Sequence, residues 1–182
     1  GINPVAAAIR EGDQLSARFG RSVSTAGDVN GDGFADVIIG SALFNNDQTD
    51  EGAAFIFHGS PTGIAATAAS LLEVNQANAW FGLSVSAAGD VNGDGYADVI
   101  VGAPLYDNNE TNEGLAYVFH GSATGIVTAA ATVLEVNQAN ANFGGYVSAA
   151  GDVNGDGYAD VVIGASLYDN GQTDEGVAFV YY

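Results

Sequence analysis

The chain of 182 residues is long enough for one domain with a real core, and it sets three Lys or Arg against 22 Asp or Glu, for a formal charge of −19. A surface this acidic repels nucleic acid and anionic membranes, which excludes both as partners. There is no cysteine for a disulfide framework, no Met and no signal-peptide pattern, so the chain reads as a mature or trimmed one. No apolar run approaches the ~18 residues that span a bilayer, so no membrane insertion is expected.

Residues 1–18 already carry the rhythm of the whole. Gly1-Ile2 returns as Gly63-Ile64, and Glu11 and Gln14 return as Glu73 and Gln76, a spacing of 62 residues. The segment therefore reads as the outer strand of a blade whose beginning lies elsewhere. From residue 19 the elements follow in order. Val23 lies in a short strand among small residues, and the Asp-rich loop from Asp28 to Asp36 comes next. Val37-Ile38-Ile39 is a β-branched run of the kind buried on both faces. Ala53–Phe57 is a third strand, closed by the turn signal Gly59-Ser60-Pro61, and Leu71-Leu72-Glu73-Val74 makes a fourth. Ala65–Ser70 is a candidate helix by composition, but its length and flanking turns favour extended chain.

Four short strands in a unit of this length is a propeller blade. The unit at 19–80 recurs at 81–142, and 143–182 stops after its third strand, because Tyr181 falls on Phe57. The expected fold is all-β, a β-propeller of four-stranded antiparallel blades with three blades' worth per chain. Three blades fall below the usual ~4–8 of a closed ring. Residues 1–18 of one copy would complete the open blade of another, head to tail, and a homodimer would close six blades.

The loop Asp28-Val29-Asn30-Gly31-Asp32-Gly33-Phe34-Ala35-Asp36 returns at Asp90–Asp98 and at Asp152–Asp160. Side-chain oxygens stand at positions 1, 3, 5 and 9: Asp28, Asn30, Asp32 and Asp36; Asp90, Asn92, Asp94 and Asp98; Asp152, Asn154, Asp156 and Asp160. Position 7 is Phe34, Tyr96 or Tyr158 and can supply only its carbonyl. Three carboxylates without His or Cys select calcium over zinc or copper, and magnesium prefers a smaller, more hydrated site. One Ca2+ per repeat, three per chain, would bring the charge from −19 to −13. An EF-hand needs Glu at position 12 and a dockerin loop needs Asp, whereas Ile39, Val101 and Ile163 stand there. A plain Asn/Asp/Gly turn is the alternative, but it does not call for three mutually repelling carboxylates. Sites of this acidity fill where calcium is millimolar, which points to an extracellular or cell-surface, secreted protein.

Other positions carry less. His58 and His120 precede Gly-Ser at a strand end and lack a partner for catalysis, so a packing role is expected. Asp50-Glu51, Asn112-Glu113 and Asp174-Glu175 read as a solvated polar loop, with a second cation site as the alternative. The repeats differ at Arg18, Trp80 and Asn142, at Arg21, Leu83 and Gly145, and at Ser22, Ser84 and Tyr146. Trp80 and Tyr146 are the candidate ligand-binding residues, able to stack a sugar or line an interface; drift at exposed positions is the alternative.

The joint presence of Phe81-Gly82, Asp90–Asp98 and Gly102-Ala103-Pro104 in one unit resembles the FG-GAP repeats of integrin α-subunit propellers. The outer units depart in the last motif, with Gly40-Ser41-Ala42 and Gly164-Ala165-Ser166, and keep the Asp loop. The resemblance implies a propeller with calcium in one face and ligands between blades or on the opposite face. The expected function is a non-catalytic, calcium-binding module of adhesion or scaffold type, or an engineered propeller, that self-assembles into a ring. The alternative is a lectin with inter-blade sugar pockets, so a protein or a glycan is the expected ligand. A hydrolase using the propeller to bind substrate would need an active site that nothing here supplies.

Overall fold

The computed structural model describes residues 1–182 as eleven strands without a helix. Strands β1 (Phe19–Gly27), β2 (Asp36–Ser41), β3 (Ala53–Phe57) and β4 (Ser70–Glu73) form one antiparallel sheet in chain order. Strands β5 (Ser84–Gly89), β6 (Asp98–Ala103), β7 (Leu115–Phe119) and β8 (Thr132–Leu134) form a second. The third sheet has only β9 (Phe143–Gly151), β10 (Asp160–Ala165) and β11 (Val177–Tyr181). Register repeats with the sequence: Val23 pairs Ile39, Val85 pairs Val101, and Val147 pairs Ile163. The Ala65–Ser70 stretch is not helical but bends into the start of β4, and Ala69 N–H donates to the Ile56 carbonyl at 2.7 Å. Three sheets of this form, each ordered as a meander, have the shape of propeller blades.

The core lies between blades. Alternation along a strand sends successive side chains to opposite faces. On β6, Val99 and Val101 join a buried cluster with Ile38, Ile56 and Leu72 of the first blade. Ile100, between them, joins Val161, Ile163 and Phe143 of the third. Both faces of the middle blade are thereby covered, which is why its β-branched run has no polar alternation. Each blade also holds an aromatic knot. Phe19, Phe81 and Phe143 meet the pairs Phe55/Phe57, Tyr117/Phe119 and Phe179/Tyr181 edge-on, with ring centroids 5.4–6.4 Å apart. Burial pushes the Tyr117 hydroxyl pKa up strongly, so that hydroxyl stays neutral.

The Gly of Phe-Gly is fixed by contact as well as by conformation. Gly82 has φ of 79°, and a Cβ on it would collide with the Ala53 carbonyl of the preceding blade. A Cβ on Gly102 would likewise strike the Gly144 carbonyl of the following blade. The first glycine of one blade's Gly-Ala-Pro thus lies against the Phe-Gly glycine of the next. Ser41, replacing the alanine of that motif, is buried and donates to the Ala17 carbonyl at 2.9 Å.

Residues 1–18 carry no strand and do not pair with β11 within the single chain. Ile2, Val5, Ile9 and Leu15 are exposed. The rest of the segment is held on the first blade. Gln14 exchanges two hydrogen bonds with the Asn45 backbone, as Gln76 does with Asp107 and Gln138 with Asp169. Arg10 donates to the carbonyls of Ala65 and Ile64, both at 2.7 Å.

Candidate metal centre

Each Asp loop joins the first two strands of a blade, and its glycines turn alternate residues inward. Asp32 N–H donates to both Asp28 Oδ1 and Asn30 Oδ1, at 3.1 and 3.0 Å, so positions 1 and 3 converge on one amide. Asp28 Oδ2 accepts from Gly33 N–H at 2.8 Å, and Asp32 Oδ1 accepts from Phe34 N–H at 2.9 Å. The same pattern recurs at Asp90, Asn92 and Asp94 and at Asp152, Asn154 and Asp156. In the middle loop, the Tyr96 amide and the Asn92 side chain hold the Asp94 pKa below its usual range.

Position 9 differs from the rest. Asp36 and Asp98 are fully buried, and each carboxylate ties two distant pieces of backbone together. Asp36 accepts from Val29 N–H at 2.9 Å and from Gly59 N–H at 2.8 Å; Asp98 accepts from Val91 at 2.8 Å and Gly121 at 2.9 Å. Asp160 accepts from Val153 at 2.7 Å, while its buried Oδ1 has no partner. Burial pushes the Asp98 pKa up, against the pull of the Gly121 and Val91 amides.

The donor set fits a hard cation in kind: carboxylate, amide and carbonyl oxygens on one turn, with no nitrogen or sulfur. Its carboxylates are turned onto loop amides and do not gather into a cluster of three. Asp90 Oδ1 and Asp152 Oδ1 each accept two amides, but the Oδ2 of each accepts one and retains a lone pair, so each carboxylate keeps an oxygen available. Neighbouring loops are also joined. Ala97 N–H donates to the Asp28 carbonyl and Ala159 N–H to the Asp90 carbonyl, both at 3.0 Å. The Tyr96 ring covers Gly31, and the Tyr158 ring covers Gly93. Position 7 therefore has a packing duty that the sequence alone did not suggest.

The acid pairs correct an expectation. Glu51 and Glu113 are not solvated but fully buried. Glu51 Oε1 accepts from the amides of Asn46, Asp47 and Gln48, and Glu113 Oε1 from those of Asn108 and Asn109. Phe81 N–H and Phe143 N–H then donate to the Glu51 and Glu113 carbonyls, at 2.8 and 3.0 Å, drawing the next blade over them. Glu175, with no following blade, is exposed.

His58 lies under Gly125 of the next blade, with its Nε2 buried. His120 instead lines an open cavity of about 350 Å3 with Val91, Val118, Leu134, Val161 and Tyr181. Of the two candidate ligand residues, Tyr146 lines a second cavity of about 250 Å3, and Trp80 is not part of it. Trp80 is half-buried in a left-handed turn, φ 56°, whose counterparts are Arg18 and Asn142. Arg21, Asn142 and Ser166 join Tyr146 in that cavity. Their signal in the sequence was the divergence of the repeats at these positions.

Blades of antiparallel strands, each with an oxygen-rich Asp loop between its first two strands, define an Asp-loop type of β-propeller repeat. The FG-GAP repeat family model matches residues 19–57, 81–119 and 144–181, and the chain belongs to that family. It is 33% identical to integrin alpha-7 of Rattus norvegicus over 86% of this chain and 13% of that protein. It is 35% identical to integrin alpha-6 of Gallus gallus over 88% of this chain and 14% of the relative. For integrin alpha-V of Gallus gallus the identity is 32%, over 85% and 15%. The chain thus spans about one seventh of the length of these relatives. No helix is long and apolar enough to cross a membrane.

Proposed function

We propose that the chain is a non-catalytic, calcium-binding propeller module of adhesion type, acting outside the cell, whose open blades close into a ring with a second copy. The observation that carries the calcium reading is the threefold loop whose backbone is tied from blade to blade through the Asp28 and Asp90 carbonyls. Asp28, Asn30, Asp32 and Asp36, with the Phe34 carbonyl, would hold the first ion; the matching residues of the other loops would hold the second and third. A bound cation supplies positive charge among carboxylates that repel one another. The residues of the chain itself set the turn and pass its position to the next loop.

Calorimetric titration with calcium should give three sites per chain, and Asp94→Ala should remove one. Stoichiometry unchanged by that substitution would sink the loop assignment.

Ring closure is supported by two unfinished surfaces: the unpaired outer edge of β11, and the exposed apolar residues Ile2 and Ile9. At the first junction the turn 122–127 covers the seam, with Ser122 N–H on the Val29 carbonyl at 3.0 Å and Ile126 buried. Gly1-Ile2 repeats Gly125-Ile126 of that turn, so the second copy's N-terminal segment suits the open cavity beside His120. A lectin with one aromatic sugar pocket repeated in every unit is less favoured, since Trp80 is matched by Arg18 and Asn142 rather than by aromatics.

A further inference from the structure

The 250 Å3 cavity at the starts of β1, β5 and β9, at the strand ends away from the Asp loops, has a composition unlike the rest of the molecule. In a chain with formal charge −19, none of its lining residues is acidic, and Arg21 is one of only three basic residues. The hydrogen bonds already made leave three hydroxyl donors in it unused. Ser22 Oγ accepts from Val85 N–H at 3.1 Å and Ser84 Oγ from Val147 N–H at 2.9 Å, so both hydroxyl hydrogens remain free to donate. Ser166 Oγ accepts from Asn142 Nδ2 at 3.2 Å and is left in the same state. Tyr146, exposed at the wall, adds a phenol and an open ring face. Gly145 leaves room beside Asn142, where a Cβ would stand 3.2 Å from Asn142 Oδ1.

A cavity lined by three serine hydroxyls and one arginine, with no carboxylate, suits an acceptor-rich anion, and the planar fork of Arg suits a carboxylate in two-point contact. The Leu83 side chain and the Tyr146 ring supply apolar walls for a ring-sized body. We propose that this axial cavity is a binding site for a small carboxylate of the uronic-acid class, with Arg21 on the carboxylate and the Ser22, Ser84 and Ser166 hydroxyls donating to it or to ring hydroxyls. All the lining residues come from one chain, and the proposal does not rest on the calcium assignment.

The test is titration with D-glucuronate, with D-glucose as the uncharged counterpart, followed by NMR at the Leu83 methyls and the Tyr146 ring. Glucuronate should bind saturably and glucose at least about tenfold more weakly. Arg21→Gln, at an exposed position, should erase that difference with the melting temperature unchanged. Equal affinity for both sugars, the absence of saturable glucuronate binding, unchanged affinity in Arg21→Gln, or shifts confined to the Asp loops would each overturn the proposal.

Discussion

The side of the middle blade that meets the third blade and the free side of the third blade carry nearly the same residues and have opposite fates. Ile100, Ala116 and Val118 are buried, whereas their counterparts Val162, Ala178 and Val180 are half-buried or exposed. Glu113 is sealed and Glu175 is not. Strand β10 pairs with β11 as β6 does with β7, so that pairing does not expose Val162; Ala178 and Val180 on β11 also lack the outer strand that β8 supplies to β7. Burial here belongs to the junction between blades. A single blade cannot bury either face, and stability accrues with each neighbour, as in other repeat arrays.

Substitutions at matched positions should therefore be unequal. Ile100→Ala should cost about 2–5 kcal/mol, as in a packed core. Val162→Ala in the same chain should cost well under half of that, read by denaturant unfolding; equal costs would break the comparison. Next in size is calcium. With calcium at a hundred times its dissociation constant, each filled site stabilises by about 2.7 kcal/mol. Asp94→Ala should lower the melting temperature in calcium and change it little in chelator. Glu113→Ala should cost about 1–3 kcal/mol by leaving the Asn108 and Asn109 amides without a partner, while Glu175→Ala should be close to neutral.

The smallest effect sharpens the contrast within one loop. Asp94, held ionised by its hydrogen bonds, contributes stability at neutral pH that is lost as pH falls through its lowered pKa. Asp98, favoured neutral by burial, contributes in the opposite sense and loses its contribution as pH rises through its raised pKa. Followed by carboxyl-carbon NMR without calcium, Asp98 should take its proton before Asp94 as the solution is acidified. Exposure of Asp94 to solvent keeps its share of stability small.

Much of this was legible in the sequence because it repeats and is local. The 62-residue period, the β-branched runs and the oxygen donors of Asp28 to Asp36 can all be read along the chain. What could not be read depends on the neighbouring blade. Glu51 and Glu113 look like loop acids until Phe81 and Phe143 close over them. Tyr96 looks like a bare carbonyl donor until its ring is found on Gly31, in the loop of the neighbouring blade. The axial cavity gathers Arg21, Leu83 and Tyr146 from three units, and the sequence marked these positions only by their divergence.

The central claim is that the free side of the third blade is a junction without its partner. The native mass of the chain in millimolar calcium, by sedimentation equilibrium, tests it most directly. The account predicts a particle of two 18.3 kDa chains, with the β11 amides protected from hydrogen exchange. A single-chain mass with β11 exchanging freely would contradict it.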